Sequence, residues 1–273
     1  MDMTKTRIFL LALLFVVVTG RCRAVAADRG GDGASCRHDS TDVVVLGDSN
    51  TWIGGDSCNL DRGWTRWFCE AFRPASCRSY ARSGATWTAT ERTVRDVDEY
   101  TERLGDNNVI YNQVCRLQDA VRDGRQPVPS LIIIAAGTND AWFLEARPRA
   151  LDVVGGDRGL ADGRNDVPGC MLTLADAVRH CCGMLAGTFP KARIVLLTPM
   201  QSTAVSTRRI VRAGDVIEEC GRRMGLTVIR QDRESCVRRK RELRRRRMTT
   251  DGTHTSAEGA RLNGIMIAES LRR

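Results

Sequence analysis

Val43-Val44-Val45-Leu46-Gly47-Asp48-Ser49-Asn50-Thr51 is the stretch from which this 273-residue chain is best read. Four apolar residues, mostly β-branched, run straight into Gly-Asp-Ser. A short continuous apolar run of this kind reads as a strand buried on both faces, most simply in a parallel sheet. Gly47 lets the chain turn sharply where the strand ends, which leaves Ser49 at the carboxyl edge of the sheet. Open α/β sheets bind their ligands at that edge.

The rest of the chain alternates in the same style. Leu131-Ile132-Ile133-Ile134-Ala135-Ala136 is a second buried strand, and it too ends in a glycine and a polar cluster, Gly137-Thr138-Asn139-Asp140. Between the two, Trp64 to Phe72 has helical character and Arg78 to Ala81 is expected to be a short strand leading into the turn Arg82-Ser83-Gly84-Ala85-Thr86. Val109 to Gly124 follows as an amphipathic helix ending at a glycine. Beyond the second strand, Glu145 to Gly169 is a long polar loop beside a strand end, a place where loops are often functional. Helices are expected over Met171 to Thr188, Thr207 to Gly225 and Ser256 to Leu271, the last with Ser256 as N-cap. Strands are expected at Ile194 to Thr198 and Thr227 to Ile229. Alternating strands and helices predict a parallel sheet covered on both faces, in one domain over residues 41–273.

The N-terminus reads differently. Lys5 and Arg7 precede an apolar stretch, Ile8 to Val18, and Ala24-Val25-Ala26-Ala27 supplies small residues for cleavage. Residues 1–27 therefore read as a secretory signal peptide, and residues 28–40 as a flexible leader rich in Gly, Asp and Ser. The expected location is secreted or periplasmic. The chain has 11 cysteines. Loss of Cys22 with the signal leaves an even number, many of them expected to pair in an oxidising compartment. Cys181 and Cys182 are expected to face different partners, because adjacent cysteines bond to each other only with strain. No Cys/His cluster has zinc-site spacing, so no metal is expected. The formal charge is +9; residues 1–27 hold Lys5, Arg7, Arg21 and Arg23 against Asp2, so the mature chain retains +6. Much of it sits in Arg238 to Arg247. In an exported protein this run reads as a solvated helix face or loop, or as a surface for an acidic polymer or membrane, rather than for nucleic acid.

A serine hydroxyl is a weak nucleophile and requires a base, usually an imidazole oriented by a carboxylate. There are three histidines, His38, His180 and His254. His38 falls in the leader and His180 in the middle of a helix, where a structural role is expected. His254 closes Asp251-Gly252-Thr253-His254, a loop before the last helix, with Asp251 close enough in sequence to accept its Nδ1 proton. Acyl transfer also requires donors for the oxyanion of the transition state. Gly84 offers a backbone N–H and Asn139 a side-chain amide, each at the end of a strand.

These four turns resemble the four short motifs of the SGNH (GDSL-like) hydrolase superfamily. Gly47-Asp48-Ser49 is similar to the first, Ser83-Gly84-Ala85-Thr86 to the second, Gly137-Thr138-Asn139-Asp140 to the third and Asp251-Gly252-Thr253-His254 to the fourth. They occur in the family's order and span nearly the whole mature chain. The second motif departs from the pattern, with Ala85 where an acidic residue is common and Tyr80-Ala81 where asparagine is frequent. The resemblance implies a three-layer α/β/α sandwich with a flavodoxin-like parallel sheet and ester hydrolysis with no metal or organic cofactor. It implies Ser49 as nucleophile, His254 as general base and acid, and Asp251 as orienting carboxylate. It also implies an oxyanion hole from the N–H groups of Ser49 and Gly84 and the Asn139 amide. The Gly-x-Ser-x-Gly elbow of α/β-hydrolases is absent.

Trp52, Trp87 and Trp142 each follow Ser49, Gly84 and Asn139 by three residues. Converging turns would bring these indoles to the mouth of one site, where sugar rings or acyl chains pack. The expected function is a serine esterase acting on small-molecule or carbohydrate esters, such as O-acetyl groups. The competing readings are a lipase or lysophospholipase, an acyltransferase using the same serine, and a non-catalytic carbohydrate-binding protein of the same fold.

Overall fold

The computed structural model describes residues 41–98, 104–152 and 171–272. The expected signal peptide and leader, with His38, lie outside the described residues, as do residues 153–169 of the polar loop. Among the described residues five strands form one parallel sheet: β1 (Asp42–Gly47), β2 (Ser76–Ser79), β3 (Leu131–Ala135), β4 (Arg193–Leu197) and β5 (Thr227–Ile229). Their order is β2-β1-β3-β4-β5. Among the described residues the helices are α1 (Ser49–Trp52), α2 (Trp64–Phe72), α3 (Ile110–Arg122), α4 (Thr138–Trp142), α5 (Leu174–Thr188), α6 (Thr207–Met224), α7 (Gln231–Glu234), α8 (Arg239–Arg244) and α9 (Ala257–Arg272).

The apolar runs are continuous because both faces of the sheet are covered. Val44, Leu46, Ile132, Ile134 and Leu196 pack with the apolar faces of α3, α5 and α6. Val43, Val45, Ile133, Val195 and Leu197 pack with Trp64, Phe68 and Phe72 of α2 and with Ile267 and Leu271 of α9. Each such side chain contributes roughly 1.5–3 kcal/mol when fully buried. The register Val43↔Leu131 through Gly47↔Ala135 holds the two central strands level, so their polar ends come out together at one edge. On the second layer α2 and α9 pack closely. A Cβ at Gly264 would stand 2.4 Å from the Trp64 carbonyl oxygen, so only glycine fits there.

Two elements differ from expectation at their ends. The second strand is Ser76–Ser79, ahead of the predicted Arg78 to Ala81. It is an edge strand whose extent is set by pairing with β1, Asp42↔Ser76 to Val45↔Ser79, and not by any apolar pattern of its own. The helix predicted from Met171 begins at Leu174, because the Thr173 hydroxyl caps it by accepting the Asp176 N–H at 3.1 Å. Ser256 does cap the last helix, accepting the Gly259 N–H at 3.2 Å. Part of the arginine run forms the short helix α8, whose Glu242 turns inward. The topology is that of a flavodoxin-like α/β/α sandwich. Among the described residues, no helix is long and apolar enough to cross a membrane.

Candidate active site

Ser49 is the first residue of α1, immediately beyond β1, and is nearly buried. Asp48 caps this turn, its Oδ1 accepting the Asn50 N–H at 3.1 Å. The His254 Nε2 lies 2.9 Å from the Ser49 Oγ, and its Nδ1 lies 2.6 Å from the Asp251 Oδ2. The other Asp251 oxygen accepts the backbone N–H groups of Thr253 (2.9 Å) and His254 (2.8 Å). Burial alone would raise the Asp251 carboxyl. The bonds from the His254 ring and from the two N–H groups outweigh it and hold the group down at about 2.

The histidine turn is set by its backbone. Gly252 has φ +97°, and a Cβ there would come 1.8 Å from the Thr203 Oγ1. Thr203 N–H donates to the Gly252 carbonyl at 2.8 Å, and Thr250 N–H to the His254 carbonyl at 2.8 Å. The turn is tied to the serine helix by Thr255 N–H, which donates to Asn50 Oδ1 at 3.2 Å. Below it, the buried Glu242 carboxylate accepts the N–H groups of Met248 and Thr249, each at 3.0 Å. Arg247, by contrast, is exposed and pairs with Glu258 at 3.0 Å.

Gly84 sits at φ +79° in a turn that begins where Arg82 N–H donates to the Gly47 carbonyl at 3.1 Å. Asn139, in α4, donates one amide hydrogen to the Ala85 carbonyl at 2.9 Å, which leaves the other amide hydrogen uncommitted. Among the described residues, neither the Ser49 nor the Gly84 N–H has a hydrogen-bond acceptor. The structure thus brings Ser49, Asp251 and His254 together by direct hydrogen-bond distances. It links Gly84 and Asn139 to them through Gly47 and Ala85.

The three tryptophans separate. Trp52 is half-buried and lines an apolar groove of about 550 Å³ with Ile53, Leu60 and Arg62. Trp142 is 38% exposed and stacks on Phe143 at a centroid distance of 5.6 Å. Trp87 is not at a mouth: it is 0% exposed, inside the core cluster with Val109 and Ile110. The cause is Asp140, whose buried carboxylate accepts the Trp87 N–H (3.0 Å), the Thr88 N–H (2.9 Å) and the Thr88 hydroxyl (2.7 Å). That anchor pulls the segment after Gly84 inward. His180, as expected, lies in a helix against Tyr111, away from Ser49.

Four residues of the site were not singled out from sequence. Gln113 of α3 clamps Gly47 from below, accepting its N–H at 2.8 Å and donating to its carbonyl at 2.9 Å. Asp140 positions the second turn. Arg147, nearly buried, donates to the Thr88 carbonyl at 3.1 Å and braces the same segment. Asp48 is buried beside the site; burial pushes its carboxyl up to about 6, against the Asn50 N–H bond, the His254 charge and the Thr138 hydroxyl. Asp48 and Asp140 were within reach as members of quoted motifs. Gln113 had a fainter signal, as a polar residue on the apolar side of an amphipathic helix. Among the described residues no cluster of three or more His, Cys, Asp or Glu is placed to hold a metal ion.

Solved structures with the same fold include a possible lipase from Chitinophaga pinensis, 14% identical with a TM-score of 0.55, covering 85% of this chain and 98% of that one. A Lactobacillus plantarum protein is 15% identical with a TM-score of 0.59, covering 85% of this chain and 97% of that one. The acetyl xylan esterase AlAXEase is 13% identical with a TM-score of 0.53, covering 84% and 99%. At such identities the likeness is one of fold. No curated protein sequence matches the chain significantly. The profile of the GDSL-like lipase/acylhydrolase family matches residues 45–262, from the middle of β1 to within α9. With that match over most of its length and this sheet beneath it, the chain belongs to the GDSL-like lipase/acylhydrolase family.

Proposed function

We propose that this protein is a serine esterase, with Ser49 as nucleophile, His254 as general base and then acid, and Asp251 as the carboxylate that orients and balances the imidazole. The observation that carries the reading is the continuous Asp251–His254–Ser49 chain, 2.6 Å and 2.9 Å long in its two links. In the first step Ser49 Oγ attacks the ester carbonyl while His254 Nε2 takes its proton. The oxyanion that forms is held by the N–H groups of Ser49 and Gly84 and by the free amide hydrogen of Asn139; each such donor lowers the barrier by roughly 3–4 kcal/mol. Return of the proton from His254 expels the alcohol and leaves an acyl-Ser49, which water hydrolyses by the same steps in reverse.

The substrate side is proposed from the surface. Trp52 with its apolar groove, and exposed Trp142, offer flat apolar faces to an acyl chain or a sugar ring. Lys240, Arg241, Arg244, Arg245 and Arg246 are exposed on the segment leading to the Asp251–His254 turn, and none has an acidic partner among the described residues. We therefore place O-acylated carbohydrates first among substrates, acidic polymers included. A lipase reading shares the groove, and an acyltransferase shares every catalytic group. Residues 1–27 support export of the mature domain. Hydrolysis of p-nitrophenyl acetate and butyrate by the mature protein, with Ser49→Ala alongside, tests the chemistry. Activity that disappears in the variant supports the reading, and the chain-length preference separates acetylesterase from lipase. Equal activity in both proteins removes it.

A further inference from the structure

Away from Ser49, three cysteines from three elements meet in one place. Cys58 lies in the loop after α1, Cys69 in α2 and Cys77 in β2, and all three line a surface groove of about 600 Å³ with Arg66 and Glu70. Within the groove the Cys77 thiol interacts with both others. The sulfurs are thus ordered Cys69–Cys77–Cys58, from the half-buried wall of the groove to a position 2% exposed. Cys58 also has φ +56°, a left-handed backbone that a side-chain-bearing residue seldom keeps without restraint. All three are free thiols in the structure.

We propose that Cys69, Cys77 and Cys58 form a thiol–disulfide relay, in which a low-molecular-weight disulfide enters at Cys69 and the bond comes to rest between Cys77 and Cys58. The hydrogen bond from Cys77 favours the Cys69 thiolate, so Cys69 is the attacking group. It attacks one sulfur of R–S–S–R, whose S–S bond breaks, and one RS⁻ leaves. The Cys77 thiolate then attacks the Cys69 sulfur and releases the second RS⁻. Cys77 is held as a thiol in the resting cluster by its neighbours, and capping Cys69 removes one of those causes. Finally the Cys58 thiolate attacks the Cys77 sulfur and restores the Cys69 thiolate. Two protein thiols give up two electrons and two protons, and R–S–S–R becomes two R–SH. The last bond is the protected one, because Cys58 is shut away from solvent thiols.

The bond would join the loop between α1 and α2 to the edge strand. That loop already touches both sides of the candidate active site. Asp56 pairs with Arg82 at 2.9 Å beside the Gly84 turn, and the Arg62 carbonyl accepts the Thr255 hydroxyl at 3.0 Å beside His254. Closing it covalently raises Tm by roughly 5–10 °C.

The test uses the full chain, reduced, then incubated with oxidised glutathione and alkylated with iodoacetamide. Digestion with trypsin and Glu-C cuts after Arg62, Arg66 and Glu70, and so separates the three cysteines for mass spectrometry. Wild type is expected to yield a Cys58–Cys77 link with Cys69 alkylated. Cys58→Ser should stop at Cys69–Cys77, and Cys77→Ser should accumulate glutathione on Cys69 with no protein disulfide among the three. A Cys58–Cys69 link, an alkylated Cys77 in the oxidised wild type, or a Cys77→Ser protein without the adduct on Cys69 would each overturn the relay. None of these readouts depends on Ser49 being a nucleophile.

Discussion

The two sides of the candidate active site are built in opposite ways. The Asp251–His254 turn is exposed and local: Asp251 is 53% and His254 31% exposed at the side chain, and the bonds that orient the pair span two or three residues. The Gly84–Thr88 side is buried and remote. Asp140, Asn139 and Arg147, between 52 and 59 residues away in the chain, hold it through their side chains, and Gln113 clamps Gly47 across 66. Acid–base chemistry requires an imidazole held in one orientation with room for water to follow the alcohol, and a short local turn supplies that. An oxyanion hole requires donors already fixed before charge develops, which only a packed surround supplies.

Two conservative substitutions break this comparison most sharply. Asp251→Asn should lower kcat by a factor on the order of 10³–10⁴ at a smaller cost in Tm than Asp140→Asn, since its group is half exposed and an Asn Oδ1 can still accept the Thr253 and His254 N–H groups. Asp140→Asn should cost both activity and about 2–3 kcal/mol of stability, because a buried acceptor of three hydrogen bonds becomes partly a donor. Denaturant melts and steady-state kinetics on the two proteins separate the cases; equal loss of stability in both would end the distinction. Trp87→Ala comes next, with about 3–5 kcal/mol lost from the core. A smaller loss, with a selective rise in KM, would return Trp87 to the mouth of the site.

The aspartates beside Ser49 and His254 also titrate in opposite senses. Asp48 has its folded pKa raised from 3.8 to about 6, so the fold binds its proton more tightly than the unfolded chain does. Its contribution is fully present below pH 3.8 and is lost as pH rises through 6, a change on the order of 3 kcal/mol. Asp251, held down at about 2, contributes above pH 3.8 and loses its contribution as pH falls toward 2. Tm measured from pH 3 to 7 should therefore flatten between 4 and 6 in Asp48→Asn relative to wild type. Identical profiles would mean that Asp48 ionises freely. The smallest effect is expected at Trp142, where replacement by Ala changes stability within about 0.5 kcal/mol but raises KM on a bulky sugar ester more than on p-nitrophenyl acetate.

The same contrast explains what was legible in the sequence. Val43–Leu46 and Leu131–Ala135 announced themselves because strands buried on both faces need no alternation. Asp251 and His254 could be paired from their spacing because their bonds are local. Trp87 could not be placed by its spacing from Gly84. The force that turns it inward is exerted by Asp140, which is distant in the chain and adjacent only once β1 and β3 are side by side. Gln113 was missed for the same reason: its two bonds to Gly47 exist only after α3 packs beneath β1. Edge strand β2 was displaced because Ser76-Cys77-Arg78-Ser79 has no apolar pattern, and its limits come from its neighbour. The three thiols at Cys58, Cys69 and Cys77 could be counted but not grouped until the loop, helix and strand that carry them had met.

The central claim is that Ser49 is a nucleophile made reactive by His254. Its most direct test is to treat the mature protein with a fluorophosphonate ester and locate the covalent adduct by peptide mass spectrometry. One adduct per chain, on Ser49, formed slowly or not at all in His254→Ala, is the predicted result. No adduct on Ser49, or labelling that proceeds equally fast without the His254 imidazole, would contradict it.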